Sequence, residues 1–248
     1  MVHSLKACWR LLHAVGHALG GWWTIRFTFP GLSQAERNLR VQQWSRRLLE
    51  IMGIALQVQG RPPAQGPVLL ISNHLSWLDI TAIHAACHVR FVSKAGVKHW
   101  PLIGTLSTGA GSLYIERERR RDALRVVHHM TEALRNGDLI GVFPEGTTSD
   151  GRGLLPFHAN LLQAAISSGA PVLPAALRFA DAATGETSQA PRYIDDDNLL
   201  TSLWNTLCAP PLVAIVRFGE PQASHGRDRR AWAQALHEDV QQLRRETH

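Results

Sequence analysis

His74 and Asp79 stand five residues apart in the stretch Ile71-Ser72-Asn73-His74-Leu75-Ser76-Trp77-Leu78-Asp79. A histidine with a carboxylate partner can serve as a general base near neutral pH, because the carboxylate fixes the tautomer and stabilises the imidazolium. Five residues is about one and a half helical turns, so direct pairing requires a bend or a helix start between the two. By itself His-x4-Asp is a weak signal. A second stretch, Gly141-Val142-Phe143-Pro144-Glu145-Gly146-Thr147-Thr148, has the same form: an apolar run that ends in polar, turn-forming residues.

Both stretches need strands to hold them. Pro67-Val68-Leu69-Leu70-Ile71 is apolar and short enough to be a buried strand ending at the Asn-His pair, and residues 138–143 read as a strand ending at the second block. The carboxyl ends of strands in an α/β sheet are where ligands and catalytic groups collect. Further strands are expected at 54–58, 90–94, 113–115, 171–179 and 212–218. Helices are expected at 77–84, 122–135, 160–168 and 227–247, with a short one over 97–105 broken at Pro101. Leu124, Val127 and Leu134 should be the inward residues of 122–135. Residues 182–198 read as a polar, irregular insertion. The alternation argues for an α/β fold with a mixed, mainly parallel sheet flanked by helices.

The first fifty residues differ in character. Residues 7–29 are rich in Trp, Leu and Phe, interrupted by Arg10, His13, His17 and Arg26. The stretch with least charge, Leu11 to Ile25, would be about 22 Å long as a helix, short against roughly 30 Å of hydrocarbon. Paired tryptophans with flanking arginines suit a helix lying in a membrane interface, and whether the segment spans or lies flat is left open. No signal-peptide cleavage site follows it cleanly. Ser33-Gln34-Ala35-Glu36 reads as a capping box, and Gly53 as the stop of the helix it opens, with Leu39, Trp44, Leu48, Ile51 and Met52 forming one face. The expected division is 1–52, amphipathic membrane-associating helices, and 53–248, the α/β domain.

The chain carries +6 formal charge from 26 Lys+Arg against 20 Asp+Glu, which favours anionic partners, and an anionic membrane surface above nucleic acid because no nucleic-acid module is visible. Three widely spaced cysteines make neither a disulfide framework nor a metal cluster. No bound metal is expected: His128 and His129 are adjacent on a helix and diverge by about 100°.

Taken in order, the two blocks resemble the lysophosphatidic acid acyltransferase family, which carries Asn-His-x4-Asp first and Phe-Pro-Glu-Gly-Thr later. Between them the family has a Gly…Ile-x-Arg block, matched by Gly111-Ser112-Leu113-Tyr114-Ile115-Glu116-Arg117, and after them an apolar strand with a proline, matched by Val172-Leu173-Pro174-Ala175. The resemblance covers roughly residues 65–180. It implies O-acyl transfer from an acyl thioester, on acyl carrier protein or coenzyme A, to the hydroxyl of a lysolipid, on the cytoplasmic face of the inner membrane, with no cofactor.

By that resemblance His74 is the base and Asp79 its orienting partner. Asn73 either positions the turn or donates a hydrogen bond. Arg117 takes the acceptor's phosphate, which a guanidinium can grip with two parallel hydrogen bonds. Glu145, Gly146 and Thr147 shape the acceptor pocket: Gly146 by close backbone approach, Thr147 by its hydroxyl, and Glu145 by accepting from a hydroxyl or ammonium group. Thr148 stands where members using lysophosphatidic acid often have Arg, so lyso-ornithine lipid is the alternative acceptor. No Gly-x-Ser-x-Gly elbow is present, so the acceptor hydroxyl is expected to attack directly, without an acyl-enzyme. A lipid hydrolase, with His74 activating water, and a non-catalytic lipid-binding protein are the readings from other classes.

Overall fold

A computed structural model describes residues 2–115, 120–194 and 197–245. Helix α1 (Val2–Trp23) runs through a π-helical turn (Thr24–Thr28) and a 3-10 turn (Phe29–Gly31) into α2 (Gln34–Met52). The capping box is formed: Ser33 Oγ accepts from Glu36 N, and the Glu36 carboxylate accepts from Ser33 N at 2.8 Å. Gly53 closes α2 with φ +79°, a left-handed conformation that disfavours any side chain. The strands and helices that follow are β1 (Ile54–Gln59), β2 (Val68–Ser72), α3 (Leu78–Ala86), β3 (Arg90–Lys94), α4 (Ile103–Gly109), β4 (Leu113–Ile115), α5 (Arg120–Arg135), β5 (Leu139–Val142), α6 (Gln163–Ser168), β6 (Val172–Asp181), α7 (Leu199–Cys208), β7 (Leu212–Phe218) and α8 (Arg229–Arg245).

The strands form one seven-stranded sheet in the order β1-β7-β6-β2-β5-β3-β4, parallel throughout except between β6 and β7. β2 shows why the sheet is sandwiched. All five of its residues are buried, with Val68 and Leu70 packing on one face and Leu69 and Ile71 on the other. The first face is covered by α2, α3 and α7, with Ala7 of α1 in the same cluster. The second is covered by α5, α6 and α8, anchored by Trp232, Leu236 and Val240. The expected α/β architecture with a mixed, mainly parallel sheet is the one observed.

Several local expectations differ. The inward face of α2 is Val41, Ser45, Leu49 and Met52, while Leu39 is 53% exposed. Leu124 of α5 is 74% exposed, whereas Leu134 is buried and Val127 packs on the core as expected, joined there by Val126 and Met130. In both helices the sequence offers two plausible apolar stripes, and the sheet selects one. Helix α7 begins where the irregular insertion was expected to end and was not anticipated. Arg46 and Gln42 donate to the carbonyls of Ala85 and Ala86 and so cap the carboxyl end of α3.

Helix α1 is fastened to the body by a buried arginine. Arg10 Nη1 donates to Leu207 O at 2.9 Å and Ala209 O at 3.5 Å, at the carboxyl end of α7 where the helix dipole favours a cation. Its guanidinium lies so close to Gly53 that a Cβ there would sit 2.0 Å from Nη2. Among the described residues no helix is long and apolar enough to cross a membrane.

Candidate active site

β2 and β5 are parallel neighbours with Ile71 opposite Val142, so the residues just past their carboxyl ends are side by side. This brings Asn73 and His74 against Phe143, Pro144 and Glu145. The chain leaves β2 in an open loop and re-enters helix at Leu78, which supplies the bend that the His-x4-Asp spacing requires. Asp79 lies in the first turn of α3 with 0% exposure. Its Oδ2 accepts from His74 Nδ1 at 2.8 Å, from Leu75 N at 2.6 Å and from Ser76 N at 2.8 Å. One carboxylate oxygen therefore holds both the imidazole and the backbone that carries it. With Nδ1–H given to Asp79, Nε2 keeps the lone pair needed to take a proton.

The imidazole is held on its face as well. It stacks on Phe143 with centroids 3.9 Å apart and planes 4° from parallel, and Phe143 stacks on Phe91 at 5.2 Å. His84 stands edge-on to Phe91 at 5.3 Å and completes a column of four rings. Burial, with the nearby charge of His88 as a smaller cause, lowers the His84 pKa from the usual 6.5 to about 3, so His84 is a neutral packing group. The His74 side chain is 19% exposed, which leaves one edge open to a ligand.

Asn73 donates a hydrogen bond, one of the two roles expected of it, and also accepts one. It is fully buried, its Nδ2 donates to Leu177 O at 2.9 Å and its Oδ1 accepts from Leu177 N at 2.8 Å. β2 and β6 pair only as far as Ser72 and Ala175, and the Asn73 amide replaces the next backbone rung. It prolongs the sheet by one step under the catalytic loop.

Glu145 is 4% exposed. Its Oε1 accepts from His74 N at 2.7 Å and its Oε2 from Leu155 N at 2.8 Å, so both oxygens are engaged by backbone. Burial pushes its carboxyl above the ordinary range, opposed by the hydrogen bonds from Leu155 and His74 and by the charges of His74 and Arg244. Gly146 has φ +75°, and a Cβ there would meet the His158 ring at 2.9 Å. Thr147 is exposed beside it. Arg117 lies outside the described residues. The loop backbone is pinned at three further points: Ser149 N donates to His74 O at 2.9 Å, Tyr193 N to Leu75 O at 3.2 Å, and Trp77 Nε1 to Ser202 Oγ of α7 at 3.2 Å.

The structure thus brings together His74, Asp79, Glu145 and Gly146, which the sequence singled out. Phe143 and Asn73 were visible only as motif letters, because stacking on His74 and bridging to β6 are tertiary facts. Lys94 is exposed at the carboxyl end of β3.

Comparison with known proteins agrees with this geometry. A family model described as Acyltransferase matches residues 54–178. The chain is 39% identical over 207 residues to a 1-acyl-sn-glycerol-3-phosphate acyltransferase of Neisseria meningitidis, covering 82% of this chain and 80% of the relative. It is 34% identical over 230 residues to a lyso-ornithine lipid O-acyltransferase of Pseudomonas aeruginosa, covering 92% and 88%. A crystal structure of the 1-acyl-sn-glycerophosphate acyltransferase from Thermotoga maritima has the same fold, with TM-score 0.66 over 96% of this chain and 99% of the other at 18% identity.

Proposed function

The chain belongs to the acyltransferase family, and from that premise we propose that it moves a fatty acyl group from an acyl thioester to the free hydroxyl of a lysolipid of the 1-acylglycerol-3-phosphate type. The observation that carries this reading is the 2.8 Å contact between His74 Nδ1 and Asp79 Oδ2 beside one open imidazole edge. His74 Nε2 takes the proton of the acceptor hydroxyl as that oxygen attacks the thioester carbonyl. Asp79 stabilises the imidazolium that forms, and the proton then passes from His74 to the departing thiolate. The thioester is carried by acyl carrier protein or coenzyme A, whose reactive arm is the same.

The acceptor's phosphate has two proposed holders. Arg117 keeps the role that the sequence resemblance implies. Lys94 ends β3 at the same sheet edge, two strands from β2 and so about 10 Å from it. A second acceptor, lyso-ornithine lipid, is favoured by one observation: Thr148 offers no charge where an arginine would add one, and Asp150 follows two residues on.

Membrane attachment is proposed through α1. Leu5, Trp9, Leu12, Leu19 and Trp23 are all exposed and fall within an arc of about 80° at 100° per residue, while Ala7, Arg10 and Ala14 are buried on the opposite side. Exposed Phe27, Trp100 and Ile103 extend the apolar surface onto the π-helical turn and α4, which pack together. Such a face suits a helix lying in the interface of the inner leaflet, with the chain peripheral or monotopic.

The test offers purified protein a labelled acyl thioester with lysophosphatidic acid and lyso-ornithine lipid in parallel, beside His74→Ala. Label in phosphatidic acid, lost in His74→Ala, is expected. Label in the ornithine lipid alone moves the reading to the second acceptor. Free fatty acid released at the same rate without acceptor makes the protein a hydrolase.

A further inference from the structure

The backbone of His74 is held as closely as its side chain. Its N–H donates to Glu145 Oε1 at 2.7 Å, and its carbonyl accepts from Ser149 N at 2.9 Å and from Ser149 Oγ at 3.2 Å. Both partners belong to the segment that follows β5. That segment opens with a turn, Phe143-Pro144-Glu145-Gly146, closed by Gly146 N donating to Phe143 O at 3.1 Å. The first residue of the turn stacks on the imidazole and the third takes the His74 N–H, so one turn reaches the base at two places. Pro144 supplies a fixed φ, and Gly146 the left-handed φ of +75° with which the chain leaves the turn. His158 closes the segment from the other side: its N–H donates to Pro144 O at 2.8 Å, and its ring lies 2.9 Å from where a Gly146 Cβ would sit.

We propose that Glu145 is a positioning residue for His74 and not a contact to the acceptor: its carboxyl group ties the peptide of the base to the loop that carries Leu155. Glu145 is 4% exposed, which leaves almost none of it for a substrate to touch. Each of its oxygens already accepts a backbone N–H, one from His74 and one from Leu155. The side chain must therefore accept at both ends. Glutamine has the same length but would set its own NH2 against one of the two N–H groups, and methionine offers neither oxygen. Misplacing a reacting group by about 1 Å can cost about a hundredfold in rate, so an anchor on the His74 N–H bears on turnover without touching substrate. The pocket contacts of this block then fall to Thr147, exposed beside the turn. The kinetic part of this inference rests on the acyl-transfer reading; the structural part, that Glu145 holds the His74 N–H, does not.

The experiment compares the full-length protein with Glu145→Met, which removes both acceptor oxygens, and Glu145→Gln, which keeps one. Amide hydrogen exchange is read at His74 and at Leu155, beside kcat and both KM values corrected for the folded fraction. In Glu145→Met the His74 amide is expected to exchange at least about tenfold faster than in the unmutated protein, with the central strands unchanged. The kcat should fall about a hundredfold and the acceptor KM stay within about twofold. In Glu145→Gln one amide opens, and kcat should follow it: reduced if His74 opens, retained if only Leu155 does. Unchanged exchange at both amides overturns the proposal, as does a kcat that moves without the His74 amide or stays when that amide opens. An acceptor KM raised about tenfold or more with kcat held makes Glu145 a ligand contact and overturns it too. If Glu145→Met does not fold, Glu145→Gln decides by the same correlation; failure of both to fold makes Glu145 a folding residue and overturns the proposal. Absence of acyl transfer in the unmutated protein sinks the acyl-transfer reading, and exchange at His74 then decides this one alone.

Discussion

The imidazole of His74 lies flat on the phenyl ring of Phe143, 3.9 Å between centroids and 4° from parallel. Asp79 grips the same imidazole at its edge. Two constraints at right angles leave the ring no free rotation, so Nε2 has one direction in which to take a proton. Phe143→Leu keeps apolar bulk but removes the flat support. We expect kcat to fall about tenfold, as near-attack geometry is lost, with both KM values within about twofold. Steady-state kinetics over both substrates decides it, and an unchanged kcat would show that the Asp79 hydrogen bond orients the ring alone.

Asp79→Asn should be more damaging than its size suggests. In related catalytic triads an amide in this place presents the wrong tautomer and lowers kcat by about 10⁴. Here the same oxygen also receives the N–H groups of Leu75 and Ser76, so the loop loses its organiser too. The expected kcat loss is at least about 10³-fold. A residual activity above one part in about a hundred would mean that Asp79 supports the loop without polarising the base.

Asn73→Ala removes two buried hydrogen bonds to one residue of β6 and leaves Leu177 N and O without their partners. The expected loss of stability is about 2–4 kcal/mol. Urea unfolding at neutral pH measures it directly; a change below about 0.5 kcal/mol would mean that water or backbone movement repairs the rung.

His84 makes the fold acid-sensitive. Its folded pKa is about 3 and its unfolded value near 6.5, so the unfolded chain binds the proton first. Stability is whole above about pH 6.5 and is lost on acidification, by up to ~1.4 kcal/mol per pH unit toward pH 3. His88, lowered in the same sense, adds to the slope. His84→Leu should flatten the fall in the urea midpoint between about pH 7 and 5. Identical slopes in the two proteins would rule His84 out as its source.

Leu12 is 70% exposed on the apolar face of α1. If that face enters a bilayer, burying one leucine contributes about 1.5–3 kcal/mol, or roughly ten- to hundredfold in affinity. Leu12→Glu should weaken sedimentation with anionic vesicles by at least that factor and leave Tm unchanged. Equal binding by both proteins would locate the contact elsewhere.

The parts of this fold that are legible in the sequence are those set by neighbours in the chain. Ser33 and Glu36 announce the start of α2 and Gly53 its end because capping is a local hydrogen-bond problem. The strand before Asn73 is legible because a doubly covered strand must be apolar throughout. His74 and Asp79 are legible as a pair because a single loop joins them. What was not legible depends on partners far along the chain. Leu39 and Leu124 were assigned inward because each helix carries more apolar residues than its buried stripe needs. Helix α7 was missed because its packing partner is α1, nearly two hundred residues away by the Arg10–Leu207 bond. Nothing in the motif announces that both oxygens of Glu145 meet backbone N–H groups, because His74 and Leu155 reach it only in the folded chain.

Arg10 fixes α1 to the carboxyl end of α7, and α7 in turn receives the indole N–H of Trp77 at Ser202, three residues past His74. Force applied to α1 therefore has a short route into the catalytic loop, with no slack linker to absorb it. The consequence is mechanical. A displacement of α1 is passed to the loop that carries His74 through one buried guanidinium and one indole hydrogen bond.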